Sequence, residues 1–294
     1  MRDEHFNKVF IGSGLAAELF LHTLIRHKGE VPNEFYVLGK NPERCGQLMR
    51  KYQIRATTNF NAFVSKARVV VLALDINEVD DLPALAEKIR DKIPFDALIN
   101  SVTPNFKIEQ IENIFPGHPV MRLSLDFSAI TGNSIGSYCI GSVTSEDTQP
   151  VAKFLIESMG ELIEVDDEEE FDKIGNIIFA QNCSNYLAIN CFIHVAMNLG
   201  LTPQQARKIA IQTYKGVGLT LEEKYKDTFI MELFDHKDVF AKGLELMENF
   251  GMAESLRKVH EMPPEVIKAN LAKARDAERA ENAKSRFHLR IDRD

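Results

Sequence analysis

The sequence has no tryptophan, only four cysteines and no long apolar run. The cysteines form no Cys-x-x-Cys pair, and Cys183 and Cys191 would be about 12 Å apart along a predicted helix, too far for a disulfide. No stretch approaches the roughly 18–20 apolar residues of a membrane helix, and the charged residues 1–8 lead into a strand rather than forming a signal peptide. We therefore expect a cytoplasmic protein with reduced thiols and no membrane partner.

An excess of positive charge is also missing. The formal net charge is −8, which argues against a broad nucleic-acid surface because such surfaces need clustered lysine and arginine. The histidines show no metal-ligand spacing, so no metal site is predicted. The partners expected are therefore a small-molecule substrate and further copies of the chain.

The chain has 294 residues, 45% apolar and 27% charged, which is typical of a globular protein with two domains. Strand and helix patterns alternate in the first half, and no convincing strand follows residue 171. The pattern predicts an α/β Rossmann domain over residues 1–165 followed by an all-α dimerisation and substrate domain over residues 166–294.

Continuous apolar runs such as "RVVVLAL" are typical of strands buried on both faces of a parallel sheet. Two or three more short strands are expected between residues 120 and 143. The predicted strands of the first half are Lys8–Gly12, Glu34–Leu38, Arg68–Leu74 and Ala97–Val102. The predicted helices are Leu15–Arg26, Pro42–Tyr52 and Leu82–Ile93.

The second half opens with the acidic run "EVDDEEEFD", which predicts a solvated loop whose last acids lie at a helix N-terminus. A helix is expected over Phe171–Leu199, ended by Gly200. Thr202 and Gln205 form a capping box for the next helix. The first of these helices is apolar on more than one face, so we expect it to pack against a second copy of the chain.

A glycine loop follows the first predicted strand. Gly12-x-Gly14-x-x-Ala17 stands between a strand and a helix, the context that a dinucleotide fingerprint requires. Gly12 permits the turn, Gly14 permits close approach to a diphosphate, and the helix N-terminus offers N–H groups. The loop predicts a cofactor site formed by Gly12, Ser13, Gly14, Leu15 and Ala16. The alternative is a tight turn without a ligand.

The second strand lacks the acid that would bind a free ribose 2′-hydroxyl. It ends at Leu38-Gly39 and is followed by Lys40, Asn41 and Arg44. Two cations and an amide favour a 2′-phosphate, and hence NADP (NADPH) over NAD. Lys40 and Arg44 could instead merely solvate the loop.

The order of elements resembles the pyrroline-5-carboxylate reductase family from about Phe6 to His260. The matching segments are "FIGSGLAAEL", "ARVVVLALD", "VMRLS", "NLGLTPQQARKIAIQTYKGV" and "KGLELMENFG". The fourth is the most specific, because the family has a Gly-Leu helix start there, then Gln-Thr and a glycine. These correspond to Gly200-Leu201, Gln212-Thr213 and Gly216.

The resemblance implies hydride transfer from NAD(P)H to the carbon of a cyclic imine, giving proline, in a homodimer or a ring of dimers. It implies an active site where the Rossmann domain meets the helices. It assigns to Thr213 a hydroxyl near the substrate, the role that makes Thr213 the candidate catalytic residue. Ala73 and Leu74 occupy the cofactor-lining start of the family's Ala-Val-Lys-Pro segment.

The departures from the family concern the substrate side. Asp75-Ile76 replaces Lys-Pro, and Arg122–Asp126 replaces Arg-Val-Met-Pro-Asn. The Ser-Gly-Ser-Gly-Pro-Ala-Tyr turn becomes "IFAQNCS", and Asp235–Phe240 replaces Ser-Pro-Gly-Gly-Thr-Thr. A retained cofactor loop beside altered substrate segments predicts a member with a different substrate, or with none.

Polar residues remain as substrate-pocket candidates. Buried amides need partners, so the band they form on the long helix predicts a wet pocket, a dimer seam or a ligand site. Lys215 could bind a carboxylate, whereas His194 is predicted to be a core or seam histidine. The band comprises Gln181, Asn182, Ser184 and Asn185, and the sheet domain adds Ser124 and Asp126.

Two other functions share this plan. A β-hydroxyacid dehydrogenase or ketopantoate reductase would need a lysine one turn before an asparagine on the long helix, and Lys173 and Asn176 match only loosely. A catalytically silent NADP-binding dimer, acting as a sensor or scaffold, would explain the lost glycine segments.

Overall fold

The computed structural model describes residues 6–74, 79–103, 106–141, 148–224, 242, 246–252, 254–255 and 258. The chain divides into two compact units, Met1–Phe179 and Ala180–Asp294. The division falls inside a long helix, beyond the expected change of character near residue 165.

The first unit is built on one eight-stranded sheet with the order β3-β2-β1-β4-β5-β6-β7-β8. Every neighbouring pair is parallel except β6 and β7, which are antiparallel. The order reverses between β1 and β4, as in a Rossmann fold, so the predicted fold class is confirmed. The strands are β1 (Lys8–Ile11), β2 (Phe35–Leu38), β3 (Arg55–Thr57), β4 (Val69–Leu72), β5 (Leu98–Ser101), β6 (Val120–Leu125), β7 (Ser134–Ile140) and β8 (Gly160–Glu164).

Helices cover both faces of this sheet. Phe10, Val71 and Leu98 belong to the apolar cluster under α1, α2 and α5, whereas Val70 and Ile99 belong to the cluster under α3 and α4. The central strands are therefore buried on both sides, which explains their continuous apolar sequence. The helices of the first unit are α1 (Leu15–His22), α2 (Pro42–Tyr52), α3 (Leu82–Ile89), α4 (Ile108–Ile114) and α5 (Gln149–Met159).

The structure differs from the sequence prediction at the edges. β3 has three residues, none of them large and apolar, and β8 is half exposed; neither carries a clear strand pattern. The predicted helix over Leu15–Arg26 is α-helical only to His22 and continues as a π-helical segment, Thr23–His27. The Thr23 hydroxyl donates to the carbonyls of Leu19 and Ala129, which ties this segment to the β6–β7 connection.

Two long helices follow, α6 (Glu168–Asn198) and α7 (Pro203–Lys224). Gly200 has φ +93°, and Thr202 and Gln205 exchange the two hydrogen bonds of a capping box. The predicted long helix, its glycine end and the cap of the next helix are confirmed.

The start of α6 is anchored to the sheet by Arg122, whose side chain is 1% exposed. Its guanidinium donates to Glu168 at 2.6 Å and to Asp172 at 3.0 Å and lies over the ring of Phe171. Glu168 also accepts the N–H of Ile108 at 2.9 Å. The last acids of the run lie at the start of α6, as predicted, but Glu168 and Asp172 also pair with this buried arginine, which the solvated-loop prediction did not include.

Candidate functional site

The glycine loop lies at the carboxyl edge of the sheet, where the strand order reverses. Gly12 follows β1 with φ +114°, and a Cβ there would overlap the carbonyl oxygen of Ala73 after β4. Gly12 thus permits both the turn and the close approach of two strand ends. Such a crevice at a switch point is where ligands bind in doubly wound sheets.

The loop leads directly into α1. Gly14 is the N-cap residue, and no side chain caps the helix there. The first-turn N–H groups of Leu15 and Ala16 are therefore not capped by the Gly14 position, an arrangement that suits an anionic diphosphate. The geometry fits the cofactor site predicted from these residues.

Ser13, between the two glycines, lies close to Gly39, the residue that follows β2. Its side chain is 8% exposed and lies against Gly39, where a Cβ would overlap the serine Oγ. Gly39 follows β2, where the fingerprint would place an acid, and its lack of a side chain leaves room for the loop.

The neighbouring Cys45 is buried, and burial raises the pKa of its thiol, so this cysteine stays protonated and is a poor nucleophile.

A cleft of about 250 Å³ opens beside the loop. Lys40 and Leu74 border it, and each directly follows a residue, Gly39 or Ala73, that touches the loop. Its lining is mainly apolar and includes three charged residues, a composition found in many small-molecule sites. The remaining lining residues are Phe60, Asp81, Leu82, Ala84, Leu85 and Lys88.

The predicted phosphate-binding residues have distinct surroundings. Lys40 is exposed and forms an ion pair with Asp81. Asn41 caps α2, because its Oδ1 accepts the backbone N–H of Arg44 at 3.1 Å. The Arg44 guanidinium donates to the Ser13 carbonyl at 3.0 Å and pairs with Glu18. Glu18 and Asp81 were not predicted from the sequence, although Glu18 is the one acid in α1.

The two polar candidates of the sheet unit are engaged in internal hydrogen bonds. Ser124 Oγ contacts Ser137 Oγ at 2.9 Å across β6 and β7. Asp126 Oδ1 accepts from Ser134 Oγ at 2.8 Å, and it also accepts from the backbone N–H and the hydroxyl of Ser128. A substrate role would require these residues to exchange existing partners.

In the second unit, Thr213 is exposed on α7, and Lys215 lies on the same helix, also exposed. Gln181 donates to Asn185 at 3.0 Å on α6, so the structure brings these two amides together. Asn182 and Ser184 are half-buried between them.

His194 and Lys173 are both exposed. The core alternative is therefore wrong for His194, whereas its place in a seam between two copies stays a prediction. Lys173 pairs with Glu169 at 2.8 Å, and Asn176 is half-buried one turn later. In a dehydrogenase of this plan, the lysine would instead contact the carbonyl oxygen of the substrate.

Some expectations fall outside the described residues, namely Asp75-Ile76 and Asp235–Phe240. Within the ranges that the structure describes, no helix has the length and hydrophobicity to cross a membrane. In the same ranges, no group of three potential metal ligands occurs.

The sequence shows clear similarity to known proteins. Residues 8–99 match a family model described as "NADP oxidoreductase coenzyme F420-dependent". Pyrroline-5-carboxylate reductase 2 of Bacillus subtilis is 25% identical over 209 residues, covering 70% of this chain and 73% of the relative. Pyrroline-5-carboxylate reductase 1 of Bacillus spizizenii is 24% identical over 251 residues, covering 84% and 83%.

The fold shows the same likeness. The crystal structure of the Plasmodium falciparum pyrroline carboxylate reductase with NADP bound superposes with a TM-score of 0.76 at 14% identity. The superposition covers 88% of this chain and 95% of that one. In sequence and in fold, the chain is therefore similar to the pyrroline-5-carboxylate reductases.

Proposed function

We propose that the chain is an NADP-dependent oxidoreductase that reduces a carbon–nitrogen double bond, working as a homodimer. The observation that carries this proposal is the position of the glycine loop, which lies at the switch point beside a cleft lined in part by Lys40 and Lys88. The relatives supply the reaction class, since they are pyrroline-5-carboxylate reductases. The altered substrate segments favour an imine other than pyrroline-5-carboxylate.

The glycine loop and the cleft beside it suit a dinucleotide. We expect the loop backbone and the start of α1 to bind the diphosphate, and apolar side chains such as Phe60 and Leu85 to contact the adenine ring. Lys40 and the capped start of α2 suit a 2′-phosphate, because no carboxylate ends β2. When bound, the cofactor supplies the hydride.

The substrate side requires little of the protein. A protonated imine is already electrophilic, so side chains need only orient it and satisfy its polar groups. We retain Thr213 as the residue whose hydroxyl contacts the substrate, on the strength of the family motif around Gln212-Thr213. The amides of Gln181, Asn182 and Asn185 are further candidates, and Ser124 and Asp126 are weaker ones.

The dimer proposal draws on exposure. Leu187 is 65% exposed and Val195 57% on α6, and Val217 is 56% exposed on α7. Apolar helix faces of this extent are covered in stable proteins, and a two-fold partner would bring the same faces together. Cytoplasmic localisation remains part of the proposal, as does the domain boundary near residue 165.

Cofactor titration tests the first half of the proposal. NADPH should bind at least tenfold more tightly than NADH, because a charge-assisted contact to the phosphate stabilises the complex by roughly 1.5–3 kcal/mol. Protein and cofactor fluorescence measure both constants. Equal affinities, or tighter NADH, would reject the NADP assignment.

Single-turnover oxidation of NADPH with a panel of cyclic imines and keto acids tests the chemistry. Reaction with imines alone supports the proposal, and reaction with keto acids alone supports the dehydrogenase alternative. With a reactive imine in hand, Thr213→Val should lower kcat/KM by roughly 5- to 150-fold and leave NADPH affinity unchanged. Unchanged turnover would show that Thr213 has no contact with substrate.

A catalytically silent NADP-binding dimer is the second candidate. The observation that favours it is the continuity of α6 over Glu168–Asn198, where the family has a glycine- and proline-rich turn. NADPH binding without turnover of any imine or keto acid would support this function.

A further inference from the structure

The two cations near the glycine loop differ in how they are held. Lys40 is 46% exposed and pairs with Asp81, which is 57% exposed. Arg44 is 30% exposed, and its partner Glu18 is 18% exposed. An exposed lysine pair can exchange partners at small cost, whereas a partly buried arginine pair is held more firmly.

Every nitrogen of the Arg44 guanidinium has a protein acceptor. Nε donates to the Ser13 carbonyl at 3.0 Å, Nη1 donates to Gln47 Oε1 at 3.3 Å, and Nη2 pairs with a Glu18 oxygen. Two of the five guanidinium N–H groups are left over, but a ligand phosphate would meet a guanidinium whose charge the Glu18 carboxylate already balances. The planar guanidinium instead links α2, the loop and α1.

Glu18 is itself held in place. Its Oε1 accepts from Lys51 Nζ at 2.7 Å and from the Tyr52 hydroxyl at 3.2 Å. Burial alone would raise the pKa of Glu18, but the hydrogen bonds from Lys51 and Arg44 outweigh it and lower the pKa to about 2. The carboxylate therefore stays charged at physiological pH and remains a fixed acceptor for Arg44.

The loop needs such an anchor because Gly12 and Gly14 flank Ser13. Glycine samples more backbone conformations than other residues, so a loop built from it loses more entropy when it binds a ligand. A hydrogen bond to the carbonyl of Ser13 restricts the peptide between the glycines before binding. The affinity for the dinucleotide then rises, because the loop loses less conformational entropy when the ligand binds.

We propose that Arg44, together with Glu18, is a positioning residue that holds the glycine loop in its binding conformation, and that it makes no contact with a 2′-phosphate. This inference rests on the proposed dinucleotide function. It revises the interpretation of Arg44 as a phosphate ligand and leaves that role to Lys40. The two roles predict opposite patterns of cofactor selectivity.

Binding measurements with both cofactors separate the roles. Arg44→Gln and Glu18→Gln should each weaken NADPH and NADH by the same factor, about tenfold, since the loop serves both diphosphates. Lys40→Gln should weaken NADPH alone. Arg50→Gln, an exposed arginine on the same helix, is the matched control and should change neither constant.

Two further readouts distinguish positioning from a general loss of structure. Hydrogen exchange of the ligand-free protein should accelerate in the segment 9–20 of Arg44→Gln, while β4 and β5 keep their protection. The double variant Glu18→Gln/Arg44→Gln should bind within about twofold of Arg44→Gln, because the two residues act as one unit. Arg44→Lys, which can reach one acceptor, should restore part of the affinity and keeps the test usable if Arg44→Gln folds poorly.

A loss of NADPH affinity alone in Arg44→Gln would overturn the inference, and so would unchanged affinity for both cofactors. In either case the proposed function would stand, because the parent protein still binds. If the parent protein binds neither NADPH nor NADH, the proposed function fails and the inference fails with it.

Discussion

The sheet unit and the helical unit treat apolar side chains in opposite ways. In the sheet unit, Val71 and Ile99 are fully buried under helices of the same unit. In the helical unit, Leu187 is 65% exposed and Leu199 80%. The first unit covers these apolar side chains within one chain, whereas the described part of the second leaves Leu187 and Leu199 exposed, the surface that the proposed dimer would cover.

Charge on the exposed apolar face of α6 should have the largest effect on this difference between the units. Leu187→Asp with Val195→Asp should convert a dimer to a monomer at micromolar concentration. Each apolar contact contributes about 1.5–3 kcal/mol, and a two-fold axis doubles the loss. Sedimentation velocity measures the change.

The control for that experiment is Phe95→Asp, which alters a phenylalanine that is 72% exposed in the sheet unit. Its sedimentation should match that of the parent protein. A parent that is monomeric at the same concentration would contradict the dimer proposal.

Within the sheet unit, Glu168→Ala should lower the free energy of unfolding by about 2–4 kcal/mol. It removes one of the two carboxylates on the buried Arg122 and the acceptor of the Ile108 N–H. Urea unfolding at pH 7 measures the loss. Glu170→Ala, an exposed neighbour in the same turn, should cost less than about 0.5 kcal/mol, and equal losses would show that the Arg122 contact is dispensable.

Acid should destabilise the α1–α2 contact through Glu18. Its pKa is lowered from 4.5 to about 2, so its stabilising effect is present above pH 4.5 and is lost as the pH falls toward 2. Between pH 6 and pH 3, the parent should lose about 1–2 kcal/mol more than Glu18→Gln. Urea titrations across this range test it, and parallel pH curves would contradict the effect.

The smallest effect is expected at the rim of the cleft. Asp81→Asn removes the exposed partner of Lys40, so NADPH should bind about threefold more tightly while NADH changes little. Fluorescence titration of the variant and the parent measures the ratio. Weaker NADPH binding would show that Asp81 supports the cofactor directly.

Much of the fold could be predicted because its signals are local. β1, β4 and β5 are continuous apolar strands, and the glycine loop between a strand and a helix carries its own turn chemistry. β3 and β8 could not be predicted, since short edge strands owe their pairing to a neighbour rather than to their own residues. The sites of Thr213 and the α6 amides remain predictions.

The candidate site shows the same division. The sequence indicated Gly12, Gly14 and Lys40 because their chemistry follows from position next to a strand end. It did not indicate that Arg44 would bond to Ser13 and Glu18, since these partners lie 31 and 26 positions away.

Four features could be predicted from the sequence alone. They are the alternation of strands and helices, the glycine loop, the absence of an acid after β2 and the long apolar helix. These follow from residue type and periodicity, which act over a few positions. The burial of Arg122 against Glu168, the protonated state of Cys45, the Arg44 bond to the loop and the place of Lys40 at the cleft follow from packing in three dimensions. Burial and partner geometry arise when distant segments pack, so the charge and role of a side chain are decided there.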